Sequence, residues 1–221
     1  MSLENINLNK LLKLFYLDPD KGRSALRADI REDLRREAGE ITGGGDFYSP
    51  FWSDAKQHVF GTSDLRSATV TRINANPRRA NLYPQLRDGF LDWWDQKRRW
   101  TNQPFRPGNA LKGSFRFHEL DATVKAQNIL TVVDALGEER AVYAYCFPDP
   151  PLCSDAARLG MWLLAQALTE VPASEHRILD MIRGYTFSDD RVPLSGEEEI
   201  EFQARFARLI RERDMLREQH Y

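Results

Sequence analysis

The chain has 221 residues, 42% of them apolar, so it is long enough and apolar enough to bury a core as one large domain or two small ones. Its formal net charge of −2 excludes a uniformly basic nucleic-acid protein but leaves local basic patches open. No run of about 18 apolar residues and no basic-then-apolar leader occurs, so we expect no membrane span, no secretory signal and a cytoplasmic location. Cys146 and Cys153 have neither zinc-site nor redox-motif spacing, and we predict no metal and no cofactor.

The first 105 residues read as helices joined by turns, because apolar residues recur there at three- and four-residue spacing. Residues 68–73 are partly β-branched, so that segment could also be a strand. The glycine triplet at 43–45 lacks a Walker lysine and is predicted to be a connector. Helices are predicted at 7–17, 22–38, 49–60, 63–76 and 82–100.

The second half changes character, because residues 113–120 alternate apolar and polar side chains as a half-buried strand does. Segments 128–133 and 141–147 are predicted to form an antiparallel hairpin, and 176–181 a further strand. Helices are expected at 154–171 and 195–218, the latter opened by a capping box at Ser195.

These elements predict an α+β protein. Residues 1–105 form a mostly helical N-terminal half, and residues 106–221 form a small antiparallel sheet of three or four strands packed with two C-terminal helices. Whether the halves are separate domains or one compact domain stays open at this point.

The middle of the chain is basic and rich in aromatic residues. Residues 71–125 carry a charge of +6, against −8 for the rest, and include Trp93, Trp94 and Trp100. Phe90, Trp93 and Trp94 follow helical spacing and are expected in the core. The positive charge of this region, more than its aromatic residues, therefore indicates a binding face. The candidate binding residues are Arg78, Arg79, Lys97, Arg98, Arg99, Trp100, Arg106 and Lys112.

Two kinds of partner suit such a patch. Lysine and arginine neutralise phosphates and aromatic rings stack on bases, which would suit nucleic acid. A protein partner, or structural salt bridges between these cations and the acidic flanks of the chain, is favoured over nucleic acid. The expected function is therefore non-catalytic recognition of a macromolecule, without a membrane. Homodimerisation through the C-terminal helix is a further alternative.

The alternative function is a metal-dependent nuclease. Enzymes of the restriction-endonuclease-like class hold Mg²⁺ with an acidic residue on one strand and an acid-x-Lys motif on the next. Glu119, Asp121, Lys125 and Asp134 offer the residue types, but the strand after Asp134 carries no acid-x-Lys. No motif points to one named family.

Overall fold

The structure is a computed structural model that describes residues 3–40 and 47–219, so the predicted connector at 43–45 lies outside the described residues. No helix within these ranges has the length and apolar content that a membrane span needs. The helices are α1 (Leu8–Tyr16), α2 (Pro19–Glu37), α3 (Ser49–Val59), α4 (Leu65–Ala75), α5 (Tyr83–Asp92), α6 (Ser154–Ala167) and α7 (Glu198–Glu218). The strands are β1 (Asn5–Asn7), β2 (Arg106–Pro107), β3 (Gly113–Phe117), β4 (Ala122–Ala126), β5 (Leu130–Val133), β6 (Glu139–Tyr145), β7 (His176–Asp180) and β8 (Tyr185–Phe187).

The α+β class is confirmed, whereas the single antiparallel sheet of three or four strands is corrected. Two mixed sheets form, with strand orders β1-β4-β3 and β2-β5-β6-β7-β8. The β5–β6 hairpin is antiparallel, as predicted. Strands β6 and β7 are parallel because α6 returns the chain across the sheet before β7 begins. Strand β1 also pairs in parallel with β4.

Strand β6 is buried on both faces and separates two apolar cores. Tyr143 and Tyr145 face the core that α1, α6 and α7 cover. The intervening residues Val142 and Ala144 face the core that α3, α4 and α5 cover. Because side chains alternate along a strand, this pattern makes the five-stranded sheet the middle layer between two layers of helices.

Elements from both sides of residue 105 pack together. Strand β1 pairs with β4, so residues 5–7 belong to the same sheet as residues 122–126. Helix α2 packs on α7, where Arg213 donates to Asp33 at 3.0 Å. Both cores therefore take residues from the two predicted halves, and the division at 105 stays a prediction about folding units.

Helix α5 lies directly against the backbone that follows β7. A Cβ atom on Gly89 would come within 2.2 Å of the Met181 carbonyl oxygen and 2.3 Å of that of Ile182. Gly184, at φ +55°, faces the Gly89 carbonyl oxygen in turn, since a Cβ atom there would lie 2.5 Å from it. Only glycine at position 89 allows this approach, which fixes the C-terminal end of α5 beside β7 and β8.

The Gly89→Ala substitution should lower the free energy of unfolding by about 2–3 kcal/mol, because the new methyl group meets two fixed carbonyl oxygens. Gly22→Ala is the matched control, since nothing lies within 4 Å of the Cβ atom it would add to α2. That control should gain about 0.5–1 kcal/mol from helix propensity. Urea unfolding measures both values, and equal effects at the two sites would contradict the close packing.

A second prediction concerns His176, which opens β7 and is fully buried. Burial lowers the pKa of His176 from its ordinary 6.5, and a backbone contact with Val171 opposes the shift. The folded state therefore binds the proton less readily than the unfolded state. Stability should be complete above about pH 6.5 and fall below it, with a limiting slope of about 1.4 kcal/mol per pH unit.

Urea unfolding between pH 7.5 and 5.5 tests this slope. His176→Gln removes the buried titrating group and should flatten the dependence, whereas the exposed His118→Gln should keep it. A slope that survives His176→Gln unchanged would place its origin elsewhere.

Candidate binding site at the basic cleft

A cleft of about 260 Å³ lies where the chain after α5 meets the segments that flank β7 and β8. We call it the basic cleft, because five of its side chains are cationic and two are carboxylates. Its lining residues are Trp93, Lys97, Arg98, Arg99, Trp100, Ser174, Arg177, Thr186, Ser188, Asp189, Asp190 and Arg191.

A π-helical turn presents the first group of these residues. Helix α5 continues through Trp93–Lys97 as a π turn, which ends when the Arg98 backbone N–H donates to the Trp93 carbonyl at 2.8 Å. This turn keeps Trp93 and Trp94 buried while the following cations reach the surface. The predicted core placement of both tryptophans is confirmed.

Trp100 belongs to an aromatic cluster. Its ring centroid lies 5.9 Å from that of Trp93, 6.0 Å from that of Trp94 and 6.1 Å from that of Phe105. The guanidinium of Arg140 lies over it at 5.4 Å. Trp100 is half-buried, so most of its surface packs on this chain and only an edge is available to a partner.

Arg98 packs against two aromatic rings that contact each other, with Trp94 and Phe105 centroids 5.5 Å apart. Its guanidinium carbon lies 3.9 Å from the centroid of Trp94 and 4.6 Å from that of Phe105. Burial lowers the pKa of Arg98, and Asp95 opposes that shift. These contacts show that Arg98 supports the loop after the π turn, so its charge is less available than sequence position suggests.

Lys97 and Arg99 are the exposed cations of the π turn and loop. Lys97 pairs with Asp92 at 2.5 Å, and Arg99 pairs with Asp190 at 3.0 Å. A hydrogen bond from Ser188, together with the charges of Arg99 and its arginine neighbours, holds the pKa of Asp190 below its usual value. Exposed pairs of this kind contribute only about 0–1 kcal/mol, so a partner's carboxylates could replace the local ones.

Arg177 and Arg191 complete the cationic lining and were not among the predicted site residues. Arg177 donates to the carbonyls of Ser174 and His176 from the start of β7. Arg191 donates to the Thr186 carbonyl at 2.9 Å. Both guanidinium groups are therefore oriented by backbone oxygens. No local pattern could have indicated them, because the sheet and the contact of α5 bring them beside residue 99.

The remaining predicted binding residues lie elsewhere. Arg78 and Arg79 precede α5, which places them on the order of 20 Å from Lys97 along the helix axis. The Arg79 guanidinium stacks on Tyr83 at 5.2 Å. Arg106 lies on β2, three strand spacings or roughly 14 Å from β7. Lys112 precedes β3 of the other sheet. The structure thus brings together Lys97, Arg98, Arg99 and Trp100, but not all eight.

The four residues of the alternative metal site do not share one location. Asp121 sits in the turn between β3 and β4 and accepts from Arg116 at 2.7 Å. Asp134 follows β5 in the other sheet, where it is buried and accepts from Arg140 at 3.0 Å. Glu119 contacts Gln203, and Lys125 lies on β4. Across residues 3–40 and 47–219, no group of three or more His, Cys, Asp or Glu could hold a metal ion.

Comparison with protein families, curated proteins and solved structures found no significant match to this chain.

The role of Arg98 can be separated from that of Arg99. Arg98→Ala should lower the free energy of unfolding by about 1–2 kcal/mol, because it removes a guanidinium packed against two rings. Arg98→Met, which keeps an unbranched stem against the rings, should recover most of that loss. Arg99→Ala removes an exposed pair and should change stability by less than about 0.5 kcal/mol. Equal losses for the two alanine variants in urea unfolding would contradict the packing role of Arg98.

Proposed function

We propose that this chain is a non-catalytic binding protein that recognises an acidic segment of a partner protein at the basic cleft. The observation that carries the proposal is the convergence of Lys97, Arg98 and Arg99 with Arg177 and Arg191 around one cleft. These cations come from three segments of the chain, so the fold itself assembles the positive surface.

The geometry of the basic cleft suits separate carboxylate side chains. Arg177 and Arg191 are held in fixed orientations by backbone carbonyls, and a guanidinium held in this way matches a planar carboxylate. Asp190 of the same chain already pairs with Arg99 at 3.0 Å, which supports a carboxylate as the group that meets these cations. An incoming Asp or Glu side chain would replace Asp190 as the ion-pair partner of Arg99.

A nucleic-acid backbone is less well matched. Phosphates follow one another along a strand, so a protein that binds them presents a continuous row of available cations. The exposed cations Arg78 and Lys112 lie away from the basic cleft, so they do not extend its cations into such a row. Nucleic acid is therefore the competing outcome of the binding test.

Binding is tested with two fluorescent probes of equal charge, a glutamate-rich peptide and a single-stranded oligonucleotide, at low and moderate salt. The wild-type chain should bind the peptide at low salt. Lys97→Gln with Arg99→Gln should weaken that binding by roughly ten-fold, as expected for two lost charge contacts. Arg78→Gln with Lys112→Gln removes the same charge outside the basic cleft and should leave affinity nearly unchanged.

Three outcomes would count against the proposal. Tighter binding of the oligonucleotide, with a steep salt dependence, would favour nucleic acid. Equal losses for both double variants would show a diffuse electrostatic effect. Absence of binding to either probe at low salt would reject the site. Thermal unfolding of each variant confirms that it is folded.

The other predictions about function find less support. No described contact brings the nuclease residues together, and oligonucleotide cleavage with Mg²⁺ or Mn²⁺ would revive that alternative. The apolar stripe of α7 packs inside its own chain, where Phe202 and Phe206 are fully buried. Dimerisation through α7 would have to use exposed residues such as Ile200 and Met215, and it stays a prediction, as does the cytoplasmic location.

A further inference from the structure

A second cleft, of about 330 Å³, lies between the start of α1, the start of α3 and the β5–β6 hairpin. We call it the amide cleft, because four of its side chains are carboxamides. It shares no lining residue with the basic cleft. The lining residues are Asn7, Asn9, Lys10, Tyr48, Ser49, Trp52, Gln127, Asn128, Tyr143, Ala144, Cys146 and Phe147.

Asn9 and Tyr143 place unused hydrogen-bonding groups at this cleft. The Asn9 backbone N–H donates to the Tyr143 hydroxyl at 2.8 Å. The Asn9 Oδ1 atom is buried and accepts no hydrogen bond from any described residue. Burial raises the pKa of Tyr143, so its hydroxyl keeps a proton that it can donate. An acceptor and a donor thus lie close together, and a buried acceptor left unpaired is costly.

Three further carboxamides, those of Asn7, Gln127 and Asn128, line the cleft. Asn7 occupies the N-cap position of α1 but makes no side-chain cap hydrogen bond, so its amide is not used by the helix. Asn128, at φ +60°, turns its carbonyl toward Trp52, whose indole N–H donates to it. The Asn128 amide donates to Ser49 Oγ at 3.4 Å, which fixes its position. Two amides therefore stay available while a third is held in place.

The charges around the amide cleft suit neither a small cation nor a small anion. No carboxylate among the described residues lines it, so a cation finds no counter-charge there. Lys10, the one charged residue of the described lining, pairs with Asp29 at 2.6 Å. An anion would therefore have to displace an internal ion pair. The occupant that suits this lining is uncharged and makes several hydrogen bonds.

The rim adds a requirement for shape. Tyr48 and Phe147 are half-buried and meet edge to face, with ring centroids 5.2 Å apart. The Lys13 ammonium lies 4.7 Å from the centroid of Phe147 and covers one face of that ring. Aromatic side chains beside a polar cleft favour a flat ring as its occupant. Carboxamides match the edges of nucleobases because both carry a donor and an acceptor side by side. The volume lies near the lower end of small-ligand pockets, which span roughly 300–1,000 Å³.

We propose that the amide cleft binds a nucleobase, as the free base or within a nucleoside, with its hydrogen-bonding edge toward Asn9 and Tyr143 and its ring at Tyr48 and Phe147. This site is independent of the proposed recognition of an acidic partner. Sugars are the competing class, because they too are uncharged and polar.

Isothermal titration calorimetry with adenosine, guanosine, uridine and cytidine tests the proposal, and ribose and glucose are the comparison ligands. At least one nucleoside should bind in the submillimolar range, and neither sugar should. Asn9→Ala should weaken nucleoside binding by roughly ten-fold, as expected for one lost hydrogen bond. The same variant should keep or raise Tm, because it removes a buried acceptor that no described residue satisfies.

The control is Asn74→Ala, an exposed carboxamide on α4 that should change neither binding nor Tm. Lys97→Gln with Arg99→Gln should leave nucleoside binding intact, so failure at one cleft is distinguishable from failure at the other. Binding of glucose in preference to nucleosides would overturn the ligand class. Wild-type affinity in Asn9→Ala, or no binding of any nucleoside at millimolar concentration, would overturn the site.

Discussion

The contact between the backbone of α5 and the backbone after β7 organises one side of this molecule. Gly89 has no side chain, so the helix approaches the carbonyls of Met181 and Ile182 more closely than any other residue would allow. The π turn that follows the helix therefore lies beside the end of β8, where Arg99 forms an ion pair with Asp190. The basic cleft is thus a product of helix-to-strand packing, and its shape depends on a residue that does not line it.

Most helices could be predicted because their apolar spacing is local. The helix over 65–75 is resolved against the strand alternative, and Asp64 caps it. Of the capping box predicted at Ser195 only one half forms: the Glu198 carboxylate accepts from the Ser195 backbone N–H, but the Ser195 hydroxyl donates to the same carboxylate, and α7 begins at Glu198. Four strands are not predicted from the sequence: β1, β2 and β8 have two or three residues each, too few to show a period, and β4 follows β3 after only four residues, just beyond the stretch predicted as one strand. The parallel pairing of β6 with β7 depends on where α6 returns the chain, which strand composition does not encode.

The residues of the candidate site also differ in how far the sequence predicts them. Lys97, Arg98, Arg99 and Trp100 are neighbours in sequence, so a charge count could find them together. Arg177 and Arg191 join them only through tertiary structure. A charge count from the sequence does not show which charges are paired in the fold. Asp92 pairs with Lys97 and Asp190 pairs with Arg99, so the positive potential of the patch is lower than the count indicates. The carboxamides of the amide cleft could not be predicted as a site, because Asn7, Asn9 and Asn128 form no sequence motif. Only the fold brings them around one cleft, together with residues of β6 and α3.

The π turn at Trp93–Lys97 has a consequence for sequence variation. Such a turn holds one residue more than an α-helix of the same span, and each residue of a helix turns the chain by about 100°. Loss of a single residue there would restore the regular α-helix while the residues before and after the turn keep their places, so the cations that follow would stay beside Asp190. A one-residue gap at this place would then mark a homologue that keeps the positive surface and has lost only the π turn.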